Sequence, residues 1–236
     1  MKINLMTWNT KMYEYGNEVN SFVLPIDENY FNGVINVILD YLKKENSIVI
    51  LQEIPYISNI TWQKHELFLR FIEIFEDDYF VKYNIISKKQ IMMTVIISQN
   101  KLIEHEENGF NDNRSISFKL KDKEARFLGL HAKNNTLTAS YLDKIRQHYP
   151  SYDYILGDFN SGNYTKLNED SSFKKNRTAY CEYLNKYVDI CNGEVTTIYG
   201  TPIDHILSSK NNNISCIIDK SISLSDHYPI FAEIEI

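Results

Sequence analysis

The sequence contains few cysteines, prolines and glycines. Its three cysteines, Cys181, Cys191 and Cys216, are odd in number and lack the paired spacing of metal sites. This usage argues against a disulfide-stabilised secreted domain and favours a reducing compartment. With only five prolines and eight glycines in 236 residues, no Pro/Gly-rich linker divides the chain. We therefore expect a single domain over residues 1–236, acting as a monomer.

The sequence also lacks a long apolar run and an excess of basic residues. No run of 18 or more apolar residues is present, and Met1 leads directly into the strand-like "KINLMTWN". These features predict no membrane span, no signal peptide and a cytoplasmic protein. The net charge of -6 argues against a protein that holds nucleic acid on a broad basic surface. An enzyme that meets phosphates through a metal ion and a few cations stays open.

Several common catalytic motifs are missing as well. The chain has no GxxxxGK[ST] loop, no GxGxxG, no GxSxG elbow and no HExxH, which argues against P-loop, dinucleotide-binding, α/β-hydrolase and zincin sites. What the chain has is apolar residues, 43% of the total, enough for a substantial core without disulfides.

Nine short apolar or alternating runs predict β-strands. Their lengths fit strands better than helices. They are Ile3 to Trp8, Ile48 to Leu51, Tyr79 to Ile86, Met93 to Ile97, Ser115 to Leu120, Ala125 to Leu130, Tyr152 to Leu156, His205 to Ser208, and Ile230 to Ile236.

Four longer segments between the strands have helical periodicity. They are Asn32 to Glu45, Thr61 to Phe75, Leu137 to Tyr149, and Phe173 to Tyr187. Because these helices fall singly between groups of strands, they predict outer layers on two packed sheets. The predicted fold is an α/β (α+β) four-layer αββα sandwich of two mostly antiparallel sheets flanked by helices.

Polar residues stand at the ends of six predicted strands. "TWNT" places Asn9 there, "LQEIP" places Glu53, "GLHAKN" places His131, and "ILGDFNSG" places Asp158 and Asn160. Each residue alone has an ordinary explanation as a turn former, cap or surface group. Late in the chain the same pattern returns in "TPIDHIL" and "LSDHYPI". One shared site explains the whole set.

The residue types indicate which chemistry such a site performs. Glu53, Asp226 and the amide oxygen of Asn9 are hard oxygen donors, which suit Mg²⁺, with Mn²⁺ as an alternative. Asp158 beside Asn160 is able to orient and deprotonate water. Histidines paired with carboxylates donate hydrogen bonds or protons to a phosphoryl oxygen. The combination predicts metal-assisted hydrolysis of a phosphate ester.

The motifs "WN", "LQE", a strand-terminal histidine, "GDFN", "DHI" and "SDHYP", in this order, resemble the endonuclease/exonuclease/phosphatase superfamily, and in particular its deoxyribonuclease I-like branch. The resemblance covers nearly the whole chain. It implies that Glu53 is the principal metal ligand and that Asn9 and Asp226 help at the metal or at its waters.

The resemblance also implies catalytic roles. Asp158 activates the attacking water, and Asn160 contacts the phosphate. His227 stabilises the phosphate while a hydrogen bond to Asp204 holds the imidazole. His131 matches a second catalytic histidine that assists the leaving oxygen.

These residues indicate the type of reaction more specifically than they indicate the substrate. The resemblance implies a divalent-metal-dependent phosphodiesterase, first of all a DNA endonuclease. RNA, a nucleotide or a phospholipid headgroup is the alternative substrate, and a catalytically silent binding module is a third interpretation. Arg114 and Arg177 are the candidate phosphate-binding residues, followed by Lys133. Asp77 or Asp78 is the candidate carboxylate that supports the first histidine.

Overall fold

The computed structural model describes residues 1–14, 18–19, 22–23, 25–104, 112–148, 152–209 and 214–236. Within these residues the chain forms fourteen strands and four α-helices. The strands are β1 Lys2–Asn9, β2 Glu18–Val19, β3 Phe22–Val23, β4 Ser47–Pro55, β5 Phe80–Tyr83, β6 Met92–Ser98, β7 Leu102–Glu104, β8 Ser115–Leu120, β9 Arg126–His131, β10 Tyr154–Asp158, β11 Val188–Asp189, β12 Asp204–Ser208, β13 Ser215–Ile218 and β14 Ile230–Glu235. The helices are α1 Glu28–Leu42, α2 Glu66–Phe75, α3 Thr138–His148 and α4 Ser171–Leu184.

Two six-stranded sheets form the centre of the protein. Sheet one has the order β13-β14-β1-β4-β6-β5, and sheet two has the order β11-β12-β10-β9-β8-β7. Each sheet contains one parallel pair, β1 with β4 and β9 with β10, and its other pairs are antiparallel. The expectation of mostly antiparallel sheets is therefore confirmed.

Three apolar cores separate the four layers. The middle core lies between the sheets and includes Leu5, Ile50, Phe127 and Leu156. An outer core packs α1 and α2 on sheet one, and a second packs α3 and α4 on sheet two. Successive side chains of a strand point to opposite faces of its sheet, so Leu5 lies in the middle core and Met6 lies in the outer core. The predicted αββα sandwich is confirmed.

The helices differ from the predicted segments at their starts, and side-chain caps give the reason. α1 begins at Glu28, ahead of the predicted Asn32, because the Asp27 carboxylate accepts a hydrogen bond from Tyr30 N. α2 begins at Glu66, after the predicted start, because the His65 ring accepts from Leu67 N. Residues 61–64 instead form a turn before that cap.

The other two helices match more closely. α4 runs Ser171–Leu184, two residues earlier than predicted at its start and three earlier at its end. α3 runs Thr138–His148, and the predicted terminal residue Tyr149 lies outside the described residues.

All nine predicted strands form, and β8 has the predicted bounds. The largest difference is β4, which runs Ser47–Pro55 and extends four residues past the predicted end at Leu51. β5 is limited to Phe80–Tyr83 inside the predicted run from Tyr79 to Ile86. The sequence patterns missed β7, β11 and β13, which are short edge strands, and the small ribbon of β2 with β3. An edge strand of two to four residues buries too little surface to leave a period in the sequence.

Two of the three cysteines lie together. The Cys216 thiol donates to Cys191 Sγ at 3.4 Å, joining β13 of sheet one to the turn after β11 of sheet two. All three cysteines are free thiols in this structure. None of the helices in the described parts of the chain has the length and apolarity that a membrane crossing requires.

Candidate active site

The pairing of the strands brings the predicted polar residues to one edge of the sandwich. β1 and β4 are parallel and end at Asn9 and near Glu53, and β9 and β10 are parallel and end at His131 and Asp158. The antiparallel strand β12 begins at the same edge with Asp204, which pairs with Asp158. The sheet topology thus converts a sequence pattern into a single site.

Glu53 lies at an irregularity of sheet one. The register of β4 with β6 shifts between Leu51 and Ile54, and Glu53 has a left-handed φ of 60°. Such a conformation is uncommon for a residue with a side chain and concentrates at functional sites. Burial raises the pKa of the Glu53 carboxyl, and a hydrogen bond from Asn9 partly offsets that increase. A buried anion of this kind is a suitable ligand for a hard cation.

Asn9 joins two carboxylates across the sheets. Its Nδ2 donates to Glu53 Oε1 at 3.2 Å and to Asp158 Oδ2 at 3.1 Å. Its Oδ1 accepts from the backbone N–H of Lys11 at 3.0 Å, which fixes the orientation of the amide because Lys11 N only donates. The sequence prediction used the Asn9 oxygen as a metal ligand. In the structure that oxygen is engaged by the backbone, and the amide nitrogen positions the carboxylates.

Asp158 is buried and held by donors. Asn160 N donates to its Oδ1 at 2.7 Å, and Asn160 Nδ2 lies 3.2 Å from its Oδ2. Burial and the nearby Asp204 charge raise the pKa of Asp158 to about 7, against opposing contributions from His227 and from the Asn160 and Asn9 hydrogen bonds. A general base works best with a pKa near the operating pH. Asp158 therefore has the environment of a base.

The two glycines of "ILGDFNSG" permit close backbone approach at this point. A Cβ on Gly157, which has a φ of +142°, would lie 1.8 Å from Leu130 O, and one on Gly162 would lie 2.0 Å from Pro202 O. No real side chain tolerates either distance. Asn160 between them has a left-handed φ of 49°. The stretch that the sequence marks as a turn therefore also carries the site residues Asp158 and Asn160.

Asp204 and His227 form an ion pair. The Nδ1–H of His227 donates to Asp204 Oδ2 at 2.8 Å and also lies 3.0 Å from Oδ1. Thr196 Oγ1 donates to Asp204 Oδ2 at 2.7 Å, and Trp8 Nε1 donates to His227 O at 2.9 Å. Burial lowers the pKa of His227, but the Asp204 charge and hydrogen bond outweigh it and raise the pKa to about 10. The imidazole is protonated at neutral pH.

Asp158, Asp204 and His227 stand in one group, with one ligand atom of each within 4.8 Å of the others. Such a group resembles a metal cluster. The ion pair with Asp204 keeps His227 protonated, however, and a metal ligand must be the neutral imidazole. The group therefore places a carboxylate with a raised pKa beside an imidazole with a raised pKa.

His131 and Arg114 form the other side of the site. Arg114 Nη1 lies 3.2 Å from His131 Nδ1 and donates to Ala132 O at 3.4 Å. His131 Nε2 lies 3.6 Å from Glu53 Oε1 and 3.8 Å from Asp158 Oδ2. Burial and the Arg114 charge hold the pKa of His131 well below its usual value. Its imidazole is neutral and supplies an N–H hydrogen bond, not an ionised acid.

Asp226 is paired with a lysine that the sequence prediction did not include. Lys11 Nζ lies 2.9 Å from Asp226 Oδ2 and 3.1 Å from Glu14 Oε2. Burial lowers the pKa of Lys11, and the hydrogen bonds with Asp226 and Glu14 outweigh it, so the net shift is upward. Lys11 stands two residues after Asn9 in the sequence, and this proximity is the signal that could have identified it as a site residue.

The remaining predicted residues are Arg177, Lys133 and Asp77 or Asp78. Arg177 on α4 donates to Tyr164 O at 3.1 Å and to Glu169 Oε1 at 2.7 Å, so it ties the preceding loop to the helix. Lys133 is exposed. The expectation that Asp77 or Asp78 supports the first histidine is wrong. Both residues precede Phe80, which pairs with Ser98 at one end of β6. The site lies at the other end of β6, where Met92 pairs with Pro55 of β4. Arg114 stands beside His131 instead.

Ser225 and His205 also shape the site, and sequence reasoning missed both. Ser225 Oγ donates to Asn9 O at 2.8 Å and accepts from His227 N at 3.2 Å. His205 Nε2 donates to Ser161 O at 2.9 Å, and its Nδ1 lies 3.0 Å from Asp189 Oδ2. His205 directly follows Asp204 in "DHI", which was the available signal.

A cleft of about 500 Å³ opens beside this edge. Asn160 and Ser161 form its wall next to the carboxylates, and the rings of Tyr164, Phe173 and Tyr199 line it further out. Tyr199 is 70% exposed. The cleft therefore offers aromatic faces and amides next to the proposed base.

Several solved structures share this fold, among them one named as an endonuclease/exonuclease/phosphatase family protein. An AP endonuclease from Archaeoglobus fulgidus is similar over 98% of this chain and 98% of its own, with 15% identity and a TM-score of 0.64. An endonuclease/exonuclease/phosphatase family protein from Leptotrichia buccalis is similar over 99% and 100%, with 14% identity and a TM-score of 0.64.

A 3′ phosphatase from Neisseria, solved with a product DNA hairpin, is similar over 99% of this chain and 100% of its own, with 14% identity and a TM-score of 0.64. At these identities the similarity is one of fold. No protein-family model and no curated protein matches the sequence.

Proposed function

We propose that this protein is a divalent-metal-dependent phosphodiesterase that cleaves DNA as an endonuclease. One observation carries the proposal: a buried carboxylate, Asp158, stands beside the protonated His227 of the Asp204 ion pair, with their ligand atoms within 4.8 Å. A base and a cation at this separation suit a reaction in which water attacks and negative charge develops on a phosphoryl group.

The donor set fits Mg²⁺, with Mn²⁺ as an alternative. Glu53 is a largely buried carboxylate whose nearest polar groups are the neutral Asn9 amide and the neutral His131 ring. A hard cation relieves that burial, and oxygen ligands of this type bind Mg²⁺. When bound, the cation supplies charge neutralisation to the phosphoryl oxygens and a template for the substrate.

The protein's own residues divide the remaining work. Asp158 accepts a proton from the attacking water, and Asn160 and Asn9 hold its carboxylate in place by the hydrogen bonds given above. The Nε2–H of His227 faces the developing charge because Nδ1 is committed to Asp204. His131 contributes a neutral N–H donor to the leaving oxygen. Burial and the Arg114 charge lower the pKa of that ring and keep it neutral, and Arg114 adds positive charge near the phosphate.

The cleft beside Asn160 supports a nucleic-acid substrate. Aromatic faces stack on bases without regard to sequence, and amides form hydrogen bonds with base edges or sugars. The Archaeoglobus protein is named an AP endonuclease, and the Neisseria protein was solved with DNA. The net charge of -6 means that phosphate contacts come from local groups such as Arg114.

Supercoiled plasmid provides the direct test. Nicking should require Mg²⁺ or Mn²⁺, and excess chelator should stop it, since the proposed phosphoryl charge then loses its cation. Glu53→Gln should abolish nicking in the same buffer, whereas Glu182→Gln on the exposed face of α4 serves as the matched control. Unchanged nicking in excess chelator would falsify the metal requirement.

A parallel substrate panel tests the DNA assignment. Supercoiled DNA, single-stranded RNA, a lesion-bearing duplex, a phosphoinositide and sphingomyelin are each incubated with Mg²⁺, Mn²⁺ or Ca²⁺. DNA should be cleaved fastest. If RNA or a lipid headgroup is hydrolysed faster than any DNA, the reaction class stands and the substrate assignment is replaced.

A further inference from the structure

The segment after β1 carries a cation that the proposed mechanism does not use. Lys11 has a left-handed φ of 56°, which a residue with a side chain rarely adopts. Its backbone N–H donates to Asn9 Oδ1 at 3.0 Å, and its carbonyl accepts from Glu14 N at 3.0 Å. The same turn is anchored to β4, because Tyr13 N donates to Glu53 O at 2.8 Å.

This turn fixes the ammonium group between two carboxylates. Lys11 Nζ lies 2.9 Å from Asp226 Oδ2 and 3.1 Å from Glu14 Oε2. The lysine and Asp226 side chains are only 23% and 16% exposed, so the pair is more than a solvated surface contact. Two carboxylates that converge from different loops are the donors that a divalent cation would otherwise use.

The other charged groups at this edge are balanced in the same way. Asp204 is paired with the His227 imidazolium, and Asp226 is paired with Lys11. Glu53 differs from both, since in the described part of the chain the side chains nearest its carboxylate are the Asn9 amide at 3.2 Å and the His131 ring at 3.6 Å. Asp158 is held by the Asn9 and Asn160 amides and is the proposed base. Glu53 is therefore the carboxylate at this edge that is left for a metal ion.

We infer that Lys11 takes the place of a second divalent cation, so that this site binds a single Mg²⁺ or Mn²⁺ at Glu53 while a fixed ammonium group neutralises Asp226 and Glu14. This inference rests on the proposed metal-dependent function and specifies its stoichiometry. It also removes Asp226 from the direct ligands of the ion and makes it the residue that positions Lys11.

The test is a direct count of bound Mn²⁺. Mn²⁺ is titrated into the metal-free protein, and the free ion is followed by its electron paramagnetic resonance signal. Glu53→Gln, checked for folding by its melting temperature, gives the background of unrelated surface binding. The wild-type protein should bind one ion above that background, a measurement that needs no change at Lys11.

Lys11→Met and Lys11→Arg separate charge from structure. Lys11→Met frees Asp226 and Glu14 and should allow a second ion to bind, while Lys11→Arg keeps the cation and should leave the count at one. Two ions in the wild type, or an unchanged count in a folded Lys11→Met protein, would overturn the inference and leave the proposed function in place. If no binding depends on Glu53, the proposed metal site itself fails, and the inference fails with it.

Discussion

The Asn9 amide nitrogen lies 3.1 Å from Asp158 Oδ2 and 3.2 Å from Glu53 Oε1. Asn9 ends β1 in sheet one, and Asp158 ends β10 in sheet two, so one side chain links the sheets at the site. Both acceptors are buried carboxylates that need donors. The separation of the proposed base from the proposed metal ligand therefore depends on the Asn9 amide, which has no chemical step of its own in the proposed mechanism.

Asn9→Ala should destabilise the protein and slow it. Removing a donor from two buried carboxylates costs about 1–3 kcal/mol, measured as the free energy of unfolding in urea without metal. Asn4→Ala, at the other end of β1, is the matched control because its amide donates to the Glu45 carbonyl in an exposed position and not to a buried carboxylate. Equal effects of the two substitutions would remove the special role of Asn9.

Asp158→Asn should lower turnover by about 10²- to 10⁴-fold, because the amide no longer accepts a proton from water. The melting temperature should stay within a few degrees, since the side chain keeps its shape. Asp143→Asn on the exposed face of α3 should have no effect on turnover. A folded Asp158→Asn protein with a near-normal plasmid-nicking rate would exclude Asp158 as the base.

Asp204→Asn should move the alkaline limit of activity to lower pH. The Asp204 charge is the main contribution that raises the pKa of His227 to about 10, so its loss returns the imidazole toward its ordinary value near 6.5. If the protonated ring stabilises the phosphoryl charge, activity in the mutant then declines at a lower pH. The pH dependence of kcat/KM checks this, together with the His227 ring resonance in NMR. An unshifted resonance contradicts it.

The metal-free protein should lose stability as the pH rises from about 4 to 7. Asp158 has a folded-state pKa of about 7 and an unfolded value near 3.9. Over this interval the folded state holds the proton more tightly, so deprotonation favours the unfolded state. His227 adds stability that is complete below about 6.5 and is lost as the pH approaches about 10.

Urea unfolding in chelator at pH 5, 7 and 9 measures this dependence. Asp158→Asn should make the acid portion of the curve shallower, and the raised pKa of Glu53 should account for the slope that remains. Asp143→Asn should leave the curve unchanged. A wild-type stability that increases between pH 5 and 7 would show that other groups dominate.

Oxidation should join Cys191 to Cys216 and leave Cys181 free. The two sulfur atoms lie 3.4 Å apart, and diamide, which accepts two electrons and two protons from a pair of thiols, converts such a pair into a disulfide. The link would close a loop across the two sheets and add about 3 kcal/mol of stability. Thiol counting and peptide mapping check the pairing, with Cys216→Ser as the control. Preferential labelling of Cys191 after oxidation would contradict it.

Much of the fold could be predicted because its signals are local. Short apolar runs such as Ile3 to Trp8 mark the buried strands, and three- and four-residue spacings mark the helices. The short edge strands β7, β11 and β13 left no such signal. The start of α1 was missed because it depends on a single cap, Asp27, and not on periodicity.

The sequence by itself determined which residues reach the site, since Asn9, Glu53, His131, Asp158 and Asp204 all stand at strand ends, and parallel pairing brings such ends to one edge. The tertiary structure alone decided their partners. These contacts join residues up to 219 positions apart, as Trp8 with His227.

The distances between loops and strands in the packed protein determine three of these contacts. They are Lys11 with Asp226, Arg114 with His131, and Arg177 with Glu169. Charge pairing depends on separation in space and on burial. The order of the residues does not reveal either quantity. The sequence therefore identifies the residues of the site, and the packing of the two sheets determines the partner of each charged group.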